Sequence, residues 1–323
     1  MSWRGSRLRD EFVRTLMEIA RTDPRVMLIT GDLGFGVLDK FAQEFPSQYI
    51  NAGVAEQNMT GLAVGLALEG KIVFTYSIAN FPTLRCLEQI RNDACYHQAN
   101  VKIVAVGGGF AYGPLGISHH ATEDLAVMRA LPQITVLAPG DPMEVRAATH
   151  AIYATPGTCY LRLGRGGEPA VHSAQPKLEV GRATRILNGS EVTVLATGAI
   201  LKNAFDACKA LQARGKHPAL YSVHTIKPLD VELLDQLARR FEVIITVEEH
   251  SVIGGLGSAV AEALSQMEQP RARLKMLGLC SGFSSVVGDQ SYLREIYGLS
   301  AKHIESAAWD SYAKPSSGEL KAV

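Results

Sequence analysis

The run Val101-Lys102-Ile103-Val104-Ala105-Val106, closed by Gly107-Gly108-Gly109, narrows most sharply what this chain can fold into. With a single polar residue it offers no wet face, so a strand built from it must be covered on both sides by other layers. The pattern recurs. Val26 to Ile29 runs into Thr30-Gly31-Asp32-Leu33-Gly34, Ile50-Asn51-Ala52 leads into a small apolar stretch, and Ile72 to Tyr76 precedes Phe81. Ile134 to Ala138 and Tyr160 to Leu163 complete the set. Segments at helical spacing lie between them, among them residues 10 to 21, with Phe12, Leu16 and Ile19 in phase, and residues 81 to 96. Strands and helices in alternation predict a parallel sheet wrapped on both faces, with ligands held by loops at the carboxyl ends of the strands.

The polar stretch from Glu168 to Asn188 holds two prolines and no sustained period, which reads as a linker. Beyond it the alternation resumes. Val192 to Ala196, Ala219 to Val223, Val243 to Val247 and Arg273 to Leu279 are separated by helical stretches at 203–214, 230–240 and 257–264. The expectation is α/β throughout: two doubly wound domains, 1–170 and 189–323, joined by a linker at 171–188. Gly254-Gly255-Leu256-Gly257, at the start of the last of these helices, could bind an anion, although close helix-strand packing accounts for such glycines equally well. The tail from Ser316 onward is polar and expected to fray.

Composition excludes several classes. Lys plus Arg equals Asp plus Glu at 32 each, so no net field favours nucleic acid or an anionic membrane. Five cysteines without a CxxC pair fit a reducing compartment. The opening MSWRGSRLRDEF has no apolar signal core, and no apolar run is long enough to span a bilayer, which places the chain in the cytoplasm.

Within Asn51-Ala52-Gly53-Val54-Ala55-Glu56-Gln57-Asn58-Met59, Glu56 is the only charge, and the TGLAVGLAL that follows predicts a helix buried on all sides. Burial disfavours the ionised carboxyl, so Glu56 could hold or share a proton near neutral pH; a Glu capping the first turn is the other reading. Four further features fall on loops at the same edge of the first sheet. They are Asp32, Phe81, the loop GGGFAYGPLGISHH with His119 and His120, and Arg162 with Arg165. Guanidinium forks suit a phosphate or carboxylate, while a solvated arginine is the alternative and the one preferred for Arg9. Asp32 after a strand is also a common helix cap. His119 and His120 with Glu123 and Asp124 do not make a metal site, because adjacent histidines point apart and no third is placed to join them.

NAGVAEQNM, IANFPTLRCLEQIRND, GPLGISHHATEDLAVMRALP, RLGRG, HTIKPLD and EEHSVIGGLGSAVAE, in this order, resemble the C-terminal half of a transketolase, its pyrimidine-binding domain followed by its C-terminal domain. The resemblance covers nearly the whole chain. It implies that Glu56 hydrogen-bonds N1′ of the aminopyrimidine of thiamine diphosphate, favouring the imino tautomer whose N4′ takes the proton from thiazolium C2. It implies that Phe81 stacks on that ring, against the plainer reading of a core Phe, and that Asp32 lies near the cofactor. His119 would contact the substrate oxygen near C2, and Arg165, with Arg162, the substrate's anionic group. Glu248, Glu249 and His250 would be structural, in a C-terminal domain that serves mainly dimer packing.

The same resemblance demands what this chain lacks. Transketolases hold the diphosphate through Mg²⁺ bound by a GDG motif and a later Asn, whereas this chain has only GDL, GDP and GDQ. A separate N-terminal-half subunit carrying GDG and binding the Mg²⁺ is therefore expected, with the cofactor between the two chains in an α2β2 assembly acting on small sugar or sugar-phosphate substrates. Two departures bear on the substrate. Leu115 stands where sugar-phosphate transketolases have an acidic residue that reads an acceptor hydroxyl, and Gly107 where they commonly carry a phosphate-contacting His. Both point to an acceptor without the usual 2-hydroxyl or to a modified sugar. Two rivals share the fold: the β subunit of a 2-oxo acid dehydrogenase, and a non-catalytic subunit. A dinucleotide-binding fold is disfavoured, since Gly31 to Gly36 reads GDLGFG rather than GxGxxG.

Overall fold

A computed structural model describes residues 8–268 and 272–312 of the chain. The tail from Ser316 lies outside them. The first half runs α1 (Leu8–Ala20), β1 (Val26–Thr30), α2 (Asp39–Glu44), β2 (Tyr49–Asn51), α3 (Glu56–Leu68), β3 (Ile72–Ile78), α4 (Leu87–Gln89), β4 (Val101–Val106), α5 (Asp124–Ala130), β5 (Ile134–Leu137), α6 (Pro142–Ala154) and β6 (Thr158–Leu163). The second continues with β7 (Thr184–Leu187), β8 (Thr193–Thr197), α7 (Leu201–Ala213), β9 (Ala219–Ser222), β10 (Thr225–Lys227), α8 (Val231–Arg240), β11 (Val243–Ser251), α9 (Leu256–Ser265), β12 (Arg273–Leu279), α10 (Gln290–Ile296) and α11 (Ala301–Trp309).

The first sheet has the order β10-β5-β6-β4-β3-β1-β2 and is parallel except for β10. Alternate strand residues feed two cores, as a sheet covered on both faces requires. Leu28, Phe74, Val104 and Leu161 pack with Phe12 and Leu16 of α1 and Val145 and Ile152 of α6. Ile29, Val73, Ile103 and Tyr160 pack with Met59 and Ala63 of α3 and Leu125 and Met128 of α5. Lys102, the one polar residue of β4, is buried. Its Nζ donates to Thr155 O at 2.6 Å and Gly157 O at 2.7 Å just past α6, which satisfies the ammonium that burial would otherwise disfavour. The second sheet, β12-β11-β8-β9-β7, is parallel except for β7.

Three expectations need correction. The 171–188 linker contains β7, whose pairing with β9 makes it an edge strand of the second sheet. The two sheets do not divide at one point along the chain, because β10, from the second half, pairs antiparallel with β5 of the first sheet. Helix α3 is not buried on all sides: Gly61, Leu62, Gly65 and Leu68 are exposed, so a small-residue apolar face points outward.

Candidate active site

Strand order decides which loops meet. The carboxyl ends of β6, β4, β3, β1 and β2 stand side by side, and the chain leaves β1 on one side toward β2 and leaves β3 on the other toward β4, which opens a crevice between β1 and β3 at that edge. Arg165, the 107–120 loop, Phe81, Asp32 and Glu56 each follow one of these strands.

Asn51, at the end of β2, ties the two outermost loops together. Its Oδ1 accepts from Asp32 N and Gly53 N, both at 3.0 Å, and its Nδ2 donates to Asp32 Oδ1 at 2.9 Å. Asp32 is thereby held in the left-handed region at φ 56°, exposed, and is not a helix cap, since α2 starts at Asp39. Glu56 opens α3 and is 3% exposed. Its side chain bonds no N–H of the first turn; Oε2 accepts from Arg85 Nη1 at 2.7 Å, and among the described residues Oε1 accepts nothing. The carboxylate is therefore not alone in an uncharged setting, as the sequence implied, but paired with a half-exposed guanidinium from the segment after β3.

From Glu56 a line of side chains crosses the crevice. The Arg85 guanidinium sits 4.7 Å over the half-buried Phe81 ring. Phe81 meets His119 edge-on with ring centroids 5.3 Å apart, and His119 lies 6.1 Å from Tyr112. Arg165 then stacks over Tyr112 at 5.0 Å. His119 Nδ1 is 3.0 Å from Ser118 Oγ, while Nε2 has no partner among the described residues. Burial, with help from His120, lowers the His119 pKa and keeps the imidazole neutral. His120 turns the other way, its Nε2 3.1 Å from Gly113 O and its ring edge-on to Phe110. Asn80 Nδ2 donates to His120 O at 2.8 Å and fixes this part of the loop to the end of β3.

Gly107, at φ 99°, has a physical reason beyond the lack of a polar group: a β-carbon there would overlap the Tyr112 ring. Tyr112 fills the space a side chain at 107 would need. Leu115 and Ile117 are exposed apolar residues on the same loop.

The arginines sort against expectation. Arg162 points away from the crevice and is 4% exposed. Its Nε donates to Asp124 Oδ2 at 2.8 Å, and Nη2 to Ala121 O at 2.8 Å and Glu249 O at 3.0 Å. So committed, it is a structural ion pair and not a substrate ligand. Arg9, read as a solvated surface residue, instead lines with Arg165 a cavity of about 370 Å³ together with Ala111, Pro114, Asp289 and Gln290.

The second half of the chain thus reaches this cavity, so its role is wider than dimer packing. Glu249 accepts from Phe110 N at 2.8 Å, Gln290 Nε2 at 2.9 Å and Arg294 Nε at 2.9 Å, joining the start of the 107–120 loop to α10. Glu248 accepts from Leu256 N and Gly257 N, both at 2.7 Å. The Gly-rich turn therefore binds a carboxylate of its own chain and not an outside anion. Arg85, Asn51, Tyr112, Asp289 and Gln290 went unrecognised in the sequence; only Arg85, a cation four residues after Phe81, carried a readable signal.

Fold and crevice give a class before they give a family. A solved split gene transketolase, described as an inactive beta4 tetramer, superposes with a TM-score of 0.85 over 95% of this chain and 98% of that one, at 38% identity. Residues 6–168 match the family model of the transketolase pyrimidine binding domain and 181–304 that of the transketolase C-terminal domain, and the chain belongs to the transketolase family. One of the subunits of the apulose-4-phosphate transketolase of Phocaeicola vulgatus is 36% identical over 95% of this chain and 97% of its own length. The 6-deoxy-6-sulfo-D-fructose transketolase subunit SqwH of a Clostridium species is 38% identical over 93% of each.

Proposed function

We propose that this chain is the smaller, C-terminal subunit of a two-chain transketolase that moves a two-carbon ketol unit from a ketose to an aldehyde acceptor. The observation that carries the reading is Glu56. It is a buried carboxylate at the crevice, on a helix whose outward face of Leu62, Leu68 and small residues is left uncovered by this chain. A partner laid on that face would close the crevice over the carboxylate.

The residues fit half of thiamine diphosphate. Glu56 Oε1 is an acceptor with no donor within the described chain, suited to a pyrimidine N1′ proton, and the half-open Phe81 ring is available for stacking. Among the described residues no group of three or more His, Cys, Asp or Glu could hold a metal ion. In this reading the partner chain, carrying GDG and a later Asn, binds Mg²⁺ and the diphosphate, and the assembly is α2β2. The cofactor, when bound, supplies the electron sink that ketose cleavage needs. Glu56 then shares a proton at N1′ and Arg85 balances its charge. His119, kept neutral, offers Nε2 to the substrate oxygen, Asp32 stays near the cofactor, and Arg9 and Arg165 take the anionic tail. The inactivity of the β-only relative is what the reading expects of this chain alone. The two relatives' modified sugars agree with the apolar Leu115 and with Gly107 in place of polar readers. Five unpaired cysteines, with no helix among the described residues long and apolar enough to cross a membrane, support a cytoplasmic setting.

The test is Glu56→Gln in the chain reconstituted with its partner. Loss of the proton-sharing carboxyl is expected to lower kcat by about 100-fold or more with the assembly intact. Unchanged turnover would remove the basis for the assignment and favour a non-catalytic subunit. Co-purification is expected to bring down a polypeptide of about 250–300 residues, sized from the usual domain range.

A further inference from the structure

The cavity that Arg9 and Arg165 share is built from both domains, and its charges are unequal. The first domain brings two guanidiniums; the second brings Asp289 and Gln290. Asp289 is exposed, and its Oδ1 accepts from Tyr292 N at 2.8 Å and Ser291 Oγ at 2.6 Å. Those bonds hold its carboxyl below the ordinary range, so it is ionised at neutral pH. Its second oxygen accepts nothing among the described residues. Among the described residues no contact ion pair joins it to Arg9, which has Asp10 at 3.5 Å, or to Arg165, which stacks on Tyr112.

Attraction of an anion to the cavity rises in proportion to its charge, whereas the cost of taking it out of water rises with the square of that charge. Arg9 already has Asp10 at 3.5 Å, but Asp10 does not line the cavity; a carboxylate in the lining itself weakens the field further and shifts the preference away from dianions toward monoanions. A phosphate monoester is largely dianionic above its second pKa of about 6, while a sulfonate carries one charge at any neutral pH. Resting on the transketolase reading above, we propose that Asp289 is a specificity-determining residue that tunes the cavity for a substrate whose tail bears a single negative charge, a sulfonate, over a phosphate monoester. It lies in the second domain, after a loop with no regular structure, as the Asp of the GDQ run at 288–290.

The test uses the assembled two-chain enzyme with Asp289→Asn. Asn is as good a cap for α10 as Asp, so folding is preserved. Binding of two matched non-reacting sugar analogues, one with a terminal phosphate and one with a terminal sulfonate, is titrated by calorimetry at pH 8 and low salt. The phosphate-to-sulfonate affinity ratio is expected to rise about threefold to fivefold in the variant, the size of an exposed charge-charge effect, and the difference to shrink in high salt. A ratio equal to wild type, or one moving toward sulfonate, overturns the proposal. Turnover of a neutral ketose by wild type is scored separately. Its absence would count against ketol transfer itself, while the binding ratio would still decide the role of Asp289.

Discussion

At Gly107 the structure sets two separate costs for any side chain, and a double-mutant cycle can pull them apart. The backbone sits at φ 99°, a region L-residues avoid, which costs roughly 1–2 kcal/mol. A β-carbon would also overlap the Tyr112 ring, which is 9% exposed and pinned between Arg165 and the loop. Forcing a methyl into such packing costs about 1–3 kcal/mol. Gly107→Ala should therefore destabilise the chain by about 2–5 kcal/mol in all. Tyr112→Ala removes the obstacle along with the ring's own burial, at about 3–5 kcal/mol. In the Tyr112→Ala background, Gly107→Ala should cost only the conformational part, so the double mutant is expected to be about 1–3 kcal/mol more stable than the sum of the singles. Urea unfolding of the four proteins, compared at equal slope, measures this coupling. Additivity to within about 0.5 kcal/mol would mean that Tyr112 does not occupy the space above Gly107, and the account of why no side chain stands there would fail.

Arg162 and Arg165 should behave as opposites. Arg162→Met strands the buried Asp124 carboxylate and is expected to lower stability by about 3–5 kcal/mol, whereas Arg165→Met should leave the urea midpoint unchanged and raise KM for anionic substrates about 10-fold or more, sparing neutral ones. A rise in KM confined to the Arg162 variant would reverse the assignment. Glu248 supplies a pH signature, since burial pushes its carboxyl up to about 7 from an ordinary 4.5 despite the Leu256 and Gly257 N–H donors. The folded chain then binds a proton that the unfolded chain has released, so this contribution is intact below about 4.5 and is lost as pH rises through about 7. Stability measured across that window should fall more steeply for wild type than for Glu248→Gln, by up to roughly 3 kcal/mol in total, and parallel curves would sink the claim.

What could be read from the sequence divides by how many elements a residue's role depends on. Strands β1, β3, β4 and β6 announce themselves because cover on both faces demands continuous apolar runs, and a residue just past such a run, at the sheet's carboxyl edge, is locatable from that run alone. Glu56, Phe81, His119, Arg165 and Asp32 are of this kind, and the structure brings them to one edge. Roles needing two elements were invisible. Strand β10 is three residues long and owes its place to β5, nearly ninety residues upstream, a pairing no local pattern encodes. Arg162 and Arg165 look alike in RLGRG, yet β6 ends at Leu163, so the first is locked in a buried layer while the second hangs in the loop. Arg85 meets Glu56 across 29 residues, and Asp289 lines the same cavity as Arg9, with Glu249 tying α10 to the 107–120 loop. The parts legible in sequence are those that would serve cofactor activation, supplied by single strand ends. The parts that were not are those that shape the cavity for a particular tail. On the proposed function, substrate choice in this chain depends on the docking of its two domains, and substitutions that loosen that docking should alter which sugar is accepted before they abolish the chemistry.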